Sequence, residues 1–208
     1  MAVAGFSLLA LSSASLISRD PRQMVVLYAL AAVPQAAIAA ILGGIFGHPE
    51  LYALAAGILL FKGLAAPRLL SVPWPEGERA RYALSGHLGT SAMMTGAVAV
   101  LLFAFRVAGV VAPGAFEAAV AACLAAGIVG LGAPAVRHEL SAQASGLLHA
   151  EAGLSATALL LVGHLPTVPD VIALAELLVL ALALGVLLAA VARVHGEADA
   201  RRLAALRG

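Results

Sequence analysis

Charged residues are scarce in this chain of 208 residues: 11% are Asp, Glu, Lys or Arg, whereas 62% are hydrophobic and the mean hydropathy is +1.03. In water-soluble domains the charged fraction is about a quarter. The composition therefore excludes an ordinary soluble domain and predicts a polytopic membrane protein. The formal net charge of +1 is too small to indicate a nucleic acid or an acidic substrate as a partner.

The sequence contains a single cysteine, Cys123, which lies within an apolar run. One thiol cannot form an internal disulfide, a zinc knuckle or a protein-ligated iron–sulfur cluster. The sequence also lacks a phosphate-binding loop, a metal-ligand cluster and a nucleophile–base constellation. We therefore expect no cofactor, no metal and no active site in this chain.

The first 18 residues, Met1 to Ser18, carry no charged side chain. A cleavable signal peptide begins with Lys or Arg before its apolar core. This segment is therefore predicted to be a retained membrane helix.

Polar residues divide the chain into apolar runs, each of a length that suits one membrane crossing of about 20 residues. Arginines occur in the odd-numbered loops between these runs and also in the carboxyl-terminal tail. The even-numbered loops contain no Lys or Arg. By the positive-inside rule the amino terminus is outside and the carboxyl terminus is cytoplasmic. We predict a single all-α membrane domain, a polytopic bundle of about seven transmembrane helices. The runs cover about 1–18, 24–46, 51–72, 88–112, 116–134, 143–164 and 170–193.

Two ionisable residues lie deep in the predicted membrane. Glu151 is near the middle of Gln143 to Gly163, about 12 Å of helix from the nearer polar flank. Lys62 lies too deep in the third run to reach either interface easily. Because an intramembrane charge costs about 2.5 kcal/mol or more, each is a predicted functional residue that needs a partner. For Lys62 the alternatives are a static ion pair, a side chain that snorkels upwards to the interface, and membership of a polar chain across the membrane.

Glu176, in the last run, is predicted to lie about 9 Å from the outer face. Its predicted depth in the membrane differs from that of Glu151, and two or three waters could bridge the distance between the two carboxylates. Stepped carboxylates of this kind favour proton transfer over static pairing. His149 is a further candidate for proton transfer, although it points about 200° away from Glu151 around the helix and packing is the alternative role.

An internal repeat is visible in the pattern of polar residues. Arg19 to Leu42 and the following ELYALAAGILL resemble Arg137 to Leu161 and the following DVIALAELLVL. Gln35 in the first copy takes roughly the place of Glu151 in the second. Duplicated helix bundles are common in transporters, but alanine-rich membrane sequences also resemble one another by chance, so both explanations stay open.

The carboxyl-terminal part, 137–208, resembles the small K subunit of respiratory complex I: a basic turn, a helix with Glu151, a short loop, a helix with Glu176 and a basic tail. The whole chain more specifically resembles hydrogenase-4 component E, a membrane subunit of the energy-converting group 4 [NiFe] hydrogenases. The elements that carry this resemblance are FKGLAAP around Lys62, SAMM at Ser91 to Met94 and the tail HGEADARRLAALRG. Before residues 137–208 we expect two further parts of the same membrane domain. They are a three-helix part with its loop, 1–86, and two helices, 87–136.

The resemblance implies a non-catalytic subunit of a multi-pass complex in the inner cell membrane. Its implied partners are antiporter-like membrane subunits, a protein resembling the H subunit of complex I and, indirectly, a peripheral hydrogenase arm with iron–sulfur clusters and a metal centre. In the K-subunit family the two glutamates belong to the hydrophilic axis of the proton-translocating arm, and the position of Glu176 can be Asp, so that charge rather than length is required. The alternatives are a subunit of a cation/proton antiporter, a small stand-alone secondary transporter and a structural assembly factor.

Overall fold

The computed structural model describes residues 1–18, 20–70, 114–136 and 140–162. Of these residues 94% are helical and none lies in a strand, which confirms the all-α prediction for this part of the chain. The helices correspond to five of the seven predicted runs, with ends that differ by a few residues. The runs 88–112 and 170–193 lie outside the described residues.

Five helical stretches follow one another along the described chain. Their bounds are α1, Ala2–Ile17; α2, Pro21–Phe46; α3, Pro49–Ile58, which continues through a π-helical segment, Leu59–Ala65, into α4, Ala66–Leu70; α5, Ala115–Val136; and α6, Leu140–Val162. Four stretches are long and apolar enough to cross a membrane: Arg22–Phe46, Pro49–Arg68, Ala115–Gly132 and Gln143–Leu161. At 16 residues, α1 is shorter and extends over about 24 Å.

Local sequence signals define both ends of α2. The Asp20 carboxylate accepts a hydrogen bond from the backbone N–H of Arg22 at 2.9 Å, and Pro21 occupies the first helical position, where no backbone donor is needed. At the other end Gly47 adopts the left-handed conformation, with φ of 69°, which glycine tolerates best. Pro49 then starts α3. This short turn folds α3, the π-helical segment and α4 back onto α2.

The π-helical segment contains Lys62 and ends two residues before Pro67. The backbone N–H of Ala66 bonds to the carbonyl of Phe61, five residues back instead of four. Proline lacks a backbone N–H, and its ring would clash with the carbonyl of residue 63 in a regular helix. A widened turn before Pro67 relieves this clash, and such π turns recur at functional sites.

Glycines allow α5 and α6 to form the most extensive helix–helix contact of the described bundle. A Cβ atom on Gly153 would overlap the backbone N of Gly127, and one on Gly130 would lie 2.7 Å from the Gly146 carbonyl oxygen. Membrane helices gain packing energy by such close backbone approach. On the rest of the bundle, α1 packs mainly on α5 and α2, while α2 also contacts α6.

We expect Gly153→Ala to destabilise the protein by about 1–3 kcal/mol, because the added methyl group must push α5 and α6 apart. Gly63→Ala is the matched control, since its Cβ would lie 3.8 Å from the nearest atom, an ordinary contact. Thermal unfolding of the purified full-length variants in detergent measures the difference. Equal melting temperatures for the two variants would contradict the packing described here.

Candidate functional site

Lys62 is the centre of a polar cluster between three helical stretches. Its side chain is 2% exposed, and its Nζ donates to Glu151 Oε1 at 2.9 Å and to Glu151 Oε2 at 2.8 Å. It also donates to Gln35 Oε1 at 3.0 Å and to Ser155 Oγ at 3.4 Å. We call Gln35, Lys62, Glu151 and Ser155 the central cluster. The structure thus identifies Lys62 as the partner of Glu151.

The positions of these residues along their helices bring them together. Glu151 and Ser155 are four residues apart on α6 and therefore share a face. Gln35, on α2, accepts from Lys62 and donates through its Nε2 to Ser155 Oγ. All three helical stretches contribute these residues from near their middles. The cluster consequently lies near the middle of these helices.

The two charges of the pair differ in burial. The Glu151 side chain is 27% exposed, whereas that of Lys62 is 2% exposed. An ammonium has three donors, and the central cluster supplies acceptors for all of them. Removal of one member of a buried ion pair typically costs about 3–5 kcal/mol, because the other charge is left uncompensated. The ammonium is therefore enclosed, and the carboxylate is the accessible side of the pair.

His149 does not join the central cluster. It is 1% exposed, its Nδ1 lies 3.3 Å from Ser12 Oγ on α1, and its ring packs edge to face on Tyr28 with centroids 5.7 Å apart. It thus contacts α1 and α2, while Glu151 contacts Lys62. Glu176, the remaining predicted proton-transfer residue, lies outside the described residues.

Sequence reasoning did not find Ser155 or the serines that approach His149. The available signal was spacing, since Ser155 is four residues after Glu151 and Ser145 is four residues before His149. In the sequence, Gln35 stands out only as the repeat counterpart of Glu151. In the structure, both side chains accept hydrogen bonds from the Lys62 ammonium.

No metal site is evident in the described part of the chain, where no three His, Cys, Asp or Glu side chains lie together. Within the same residues, the contacts of the central cluster are all hydrogen bonds and one ion pair. Such an arrangement can hold, exchange or pass protons.

The described residues therefore define an all-helical protein with four helices suited to crossing a membrane and with a buried ion pair between helices. The sequence is similar to the uncharacterized protein Rv0085 of Mycobacterium tuberculosis, with 28% identity over 192 residues, which cover 91% of this chain and 87% of the relative. No protein family matches the sequence. No solved structure matches it either.

Proposed function

We propose that this chain is a non-catalytic membrane subunit of an energy-converting hydrogenase assembly related to complex I. In this proposal Glu151, Glu176 and Lys62 link proton pathways, and His149 contributes to proton access. The chain crosses the inner cell membrane seven times, with the amino terminus outside, as the loop arginines predict. Its own residues bind no redox cofactor.

The observation that carries the proposal is the ion pair of Lys62 and Glu151 at the middle of the helices. A membrane protein gains little stability from such a pair, because both charges lose their hydration. Intramembrane charges therefore mark ion or proton pathways more often than structural contacts. The bidentate contact and the partial exposure of Glu151 support a pathway that reaches the pair through the carboxylate.

The central cluster supports proton exchange without a large rearrangement. A proton that moves from Lys62 Nζ to a Glu151 oxygen leaves an amine and a carboxylic acid, both neutral and both still hydrogen-bonded. Gln35 and Ser155 can each donate or accept, so they can follow either protonation state. A charge that approaches the carboxylate would shift the balance between these states.

The resemblance to hydrogenase-4 component E supports the choice of assembly. It assigns antiporter-like subunits and a protein similar to the H subunit of complex I as membrane neighbours. The hydrogenase arm then supplies the electron transfer whose energy drives protons across the membrane. The lipid bilayer surrounds the remaining helix faces, on which exposed side chains such as Leu60 and Leu161 are apolar.

Affinity purification of the tagged full-length chain from its own membranes tests this proposal. We expect antiporter-like subunits, a subunit similar to the H subunit and a hydrogenase large subunit to copurify in one complex. Copurification with antiporter subunits alone, without a hydrogenase arm, would contradict the proposal and identify a cation/proton antiporter subunit. A chain that purifies alone would indicate a stand-alone transporter.

A further inference from the structure

A second group of buried polar side chains lies between α1, α2 and α6. On α1 and α6, Ser15 Oγ lies 3.0 Å from Ser145 Oγ, and Ser12 Oγ lies 3.3 Å from His149 Nδ1. Tyr28 of α2 packs on the His149 ring. Every one of these side chains is buried, and we call Ser12, Ser15, Tyr28, Ser145 and His149 the serine–histidine cluster.

The spacing of these residues extends the cluster along the helices. Ser12 and Ser15 are three residues apart on α1, and Ser145 and His149 are four apart on α6, so each pair lines one helix face. Ser15 and Ser145 lie nearer the end of the bundle at which α1 finishes and α6 begins. In the proposed topology that end is cytoplasmic. The polar groups thus run inward from the cytoplasmic end to His149.

A small cavity accompanies this run of hydroxyl groups. Ser12, Ser15 and His149 form its polar wall, and Leu16 and Val129 form part of its apolar wall. Gly130 and Gly146, which lie at the close contact of α5 and α6, line it as well. The cavity is about large enough for one water molecule, which needs two or more polar partners to be held there.

Two buried polar atoms of the serine–histidine cluster lack a hydrogen-bond partner among the described residues. They are His149 Nε2 and the Tyr28 hydroxyl, both on side chains that are 1% exposed. Buried polar atoms are satisfied in most cases by protein or by ordered water. Two such atoms on rings that pack on each other are the groups that a water molecule at this position would satisfy.

Tyr28 connects this cluster with the central cluster. It packs edge to face on His149, which lies two residues before Glu151 on α6. Tyr28 and Gln35 are also seven residues apart, which places them on one face of α2. The two clusters are therefore neighbours along α2 and α6.

We propose that the serine–histidine cluster binds water and forms a hydrated branch that brings protons from the cytoplasmic end of the bundle to Glu151. This proposal rests on the proposed function, to which it adds the route of proton entry. Ser12, Ser15 and Ser145 hold the outer part of the branch, and water between His149 and Tyr28 forms the inner part.

The proton balance of the branch is simple. Each hydroxyl and each water accepts one proton as it gives one. The neutral imidazole of His149 accepts a proton at Nδ1 from the side of Ser12 and releases the proton on Nε2 towards Tyr28. Exchange of a proton from Nδ1 to Nε2 through the bound water restores the starting tautomer, so one proton leaves the cytoplasmic side for each proton that reaches Glu151.

Solid-state NMR of the full-length chain in liposomes, with ¹⁵N-labelled histidine, tests the hydration. The His149 resonances are identified by their loss in His149→Gln. We expect magnetisation transfer from water to the His149 ring nitrogens despite its burial. The half-exposed His48 is the internal reference, since its side chain is 48% exposed. Transfer to His48 without transfer to His149 would show a dry cluster and overturn the proposal.

Proton translocation by the assembled complex in inverted vesicles tests the route. We expect Ser12→Ala and Tyr28→Phe to reduce translocation several-fold at unchanged assembly, because each removes a hydroxyl of the branch. Ser13→Ala is the matched control: Ser13 is buried on the same helix, but its hydroxyl donates to the Leu9 carbonyl at 2.6 Å. This variant should retain full translocation.

The two proposals fail in different ways. If Glu151→Gln abolishes translocation and Ser12→Ala behaves like Ser13→Ala, the branch is wrong and the proposed function stands. If Glu151→Gln translocates protons normally, the proposed function fails, and the branch fails with it as a route to Glu151.

Discussion

Lys62→Met is expected to leave the complex assembled and to lower proton translocation about 100-fold, the effect of losing a group that transfers protons. The methionine has a similar length and no charge, and Glu151 can then become neutral by binding a proton. The cluster keeps its shape, but it can no longer exchange a proton between nitrogen and oxygen. Native gels report assembly, and proton pumping in vesicles reports translocation.

Lys62→Arg should be nearly as defective as Lys62→Met, because a guanidinium stays charged in either state of the pathway. Leu64→Met is the matched control, since Leu64 is 50% exposed in the same π-helical segment. If Lys62 serves only as a fixed positive charge, the arginine variant will pump fully. In that case Lys62→Met should instead lose about 3–5 kcal/mol of stability and fail to assemble.

Glu151→Gln is expected to preserve assembly and to stop translocation, with a decrease of about 100-fold. The amide keeps the shape of the side chain, and its oxygen can still accept a hydrogen bond from Lys62. The lost feature is the exchangeable proton on the partly exposed side of the pair. In the proposed assembly, hydrogenase turnover measured beside proton uptake shows whether electron transfer continues while coupling is lost.

Glu117→Gln is the control for this variant, because Glu117 lies in the first turn of α5, away from the central cluster. It should pump like the unmodified chain. Disassembly of the Glu151→Gln complex, with no defect specific to translocation, would indicate that the ion pair is structural. The same experiment applies to Glu176→Gln, for which we expect the same uncoupled result.

The all-helical character of the described residues and two members of the central cluster, Glu151 and Lys62, could be predicted from sequence. Hydropathy marks the helices because about 20 apolar residues are required for each crossing. Glu151 and Lys62 stand out because an ionisable group is costly at that depth. Each of these signals is local, since it depends only on a residue and its neighbours in the chain.

The ion pair of Lys62 with Glu151 could not be predicted. The two residues are 89 positions apart in the chain, and hydropathy does not show which helices contact each other. The neighbourhood of His149 was missed for a related reason. Serine is common in such helices, and only the approach of α1 to α6 shows that Ser12 and Ser145 belong together with His149 and Ser15. The π-helical segment was missed as well, since hydropathy does not distinguish a π-helical turn from a regular helical turn.

The π-helical segment makes the number of residues in this stretch informative when relatives are compared. A hydrogen bond that reaches five residues back encloses one residue more than the bond of a regular helix. Loss of one residue between Leu59 and Lys62 would therefore restore a regular helix and leave α3 and α4 intact. The lysine would then turn by about 100° around the axis, towards a different neighbour. In an alignment of relatives, a single gap at this place would separate chains that present a lysine to the glutamate from chains that do not.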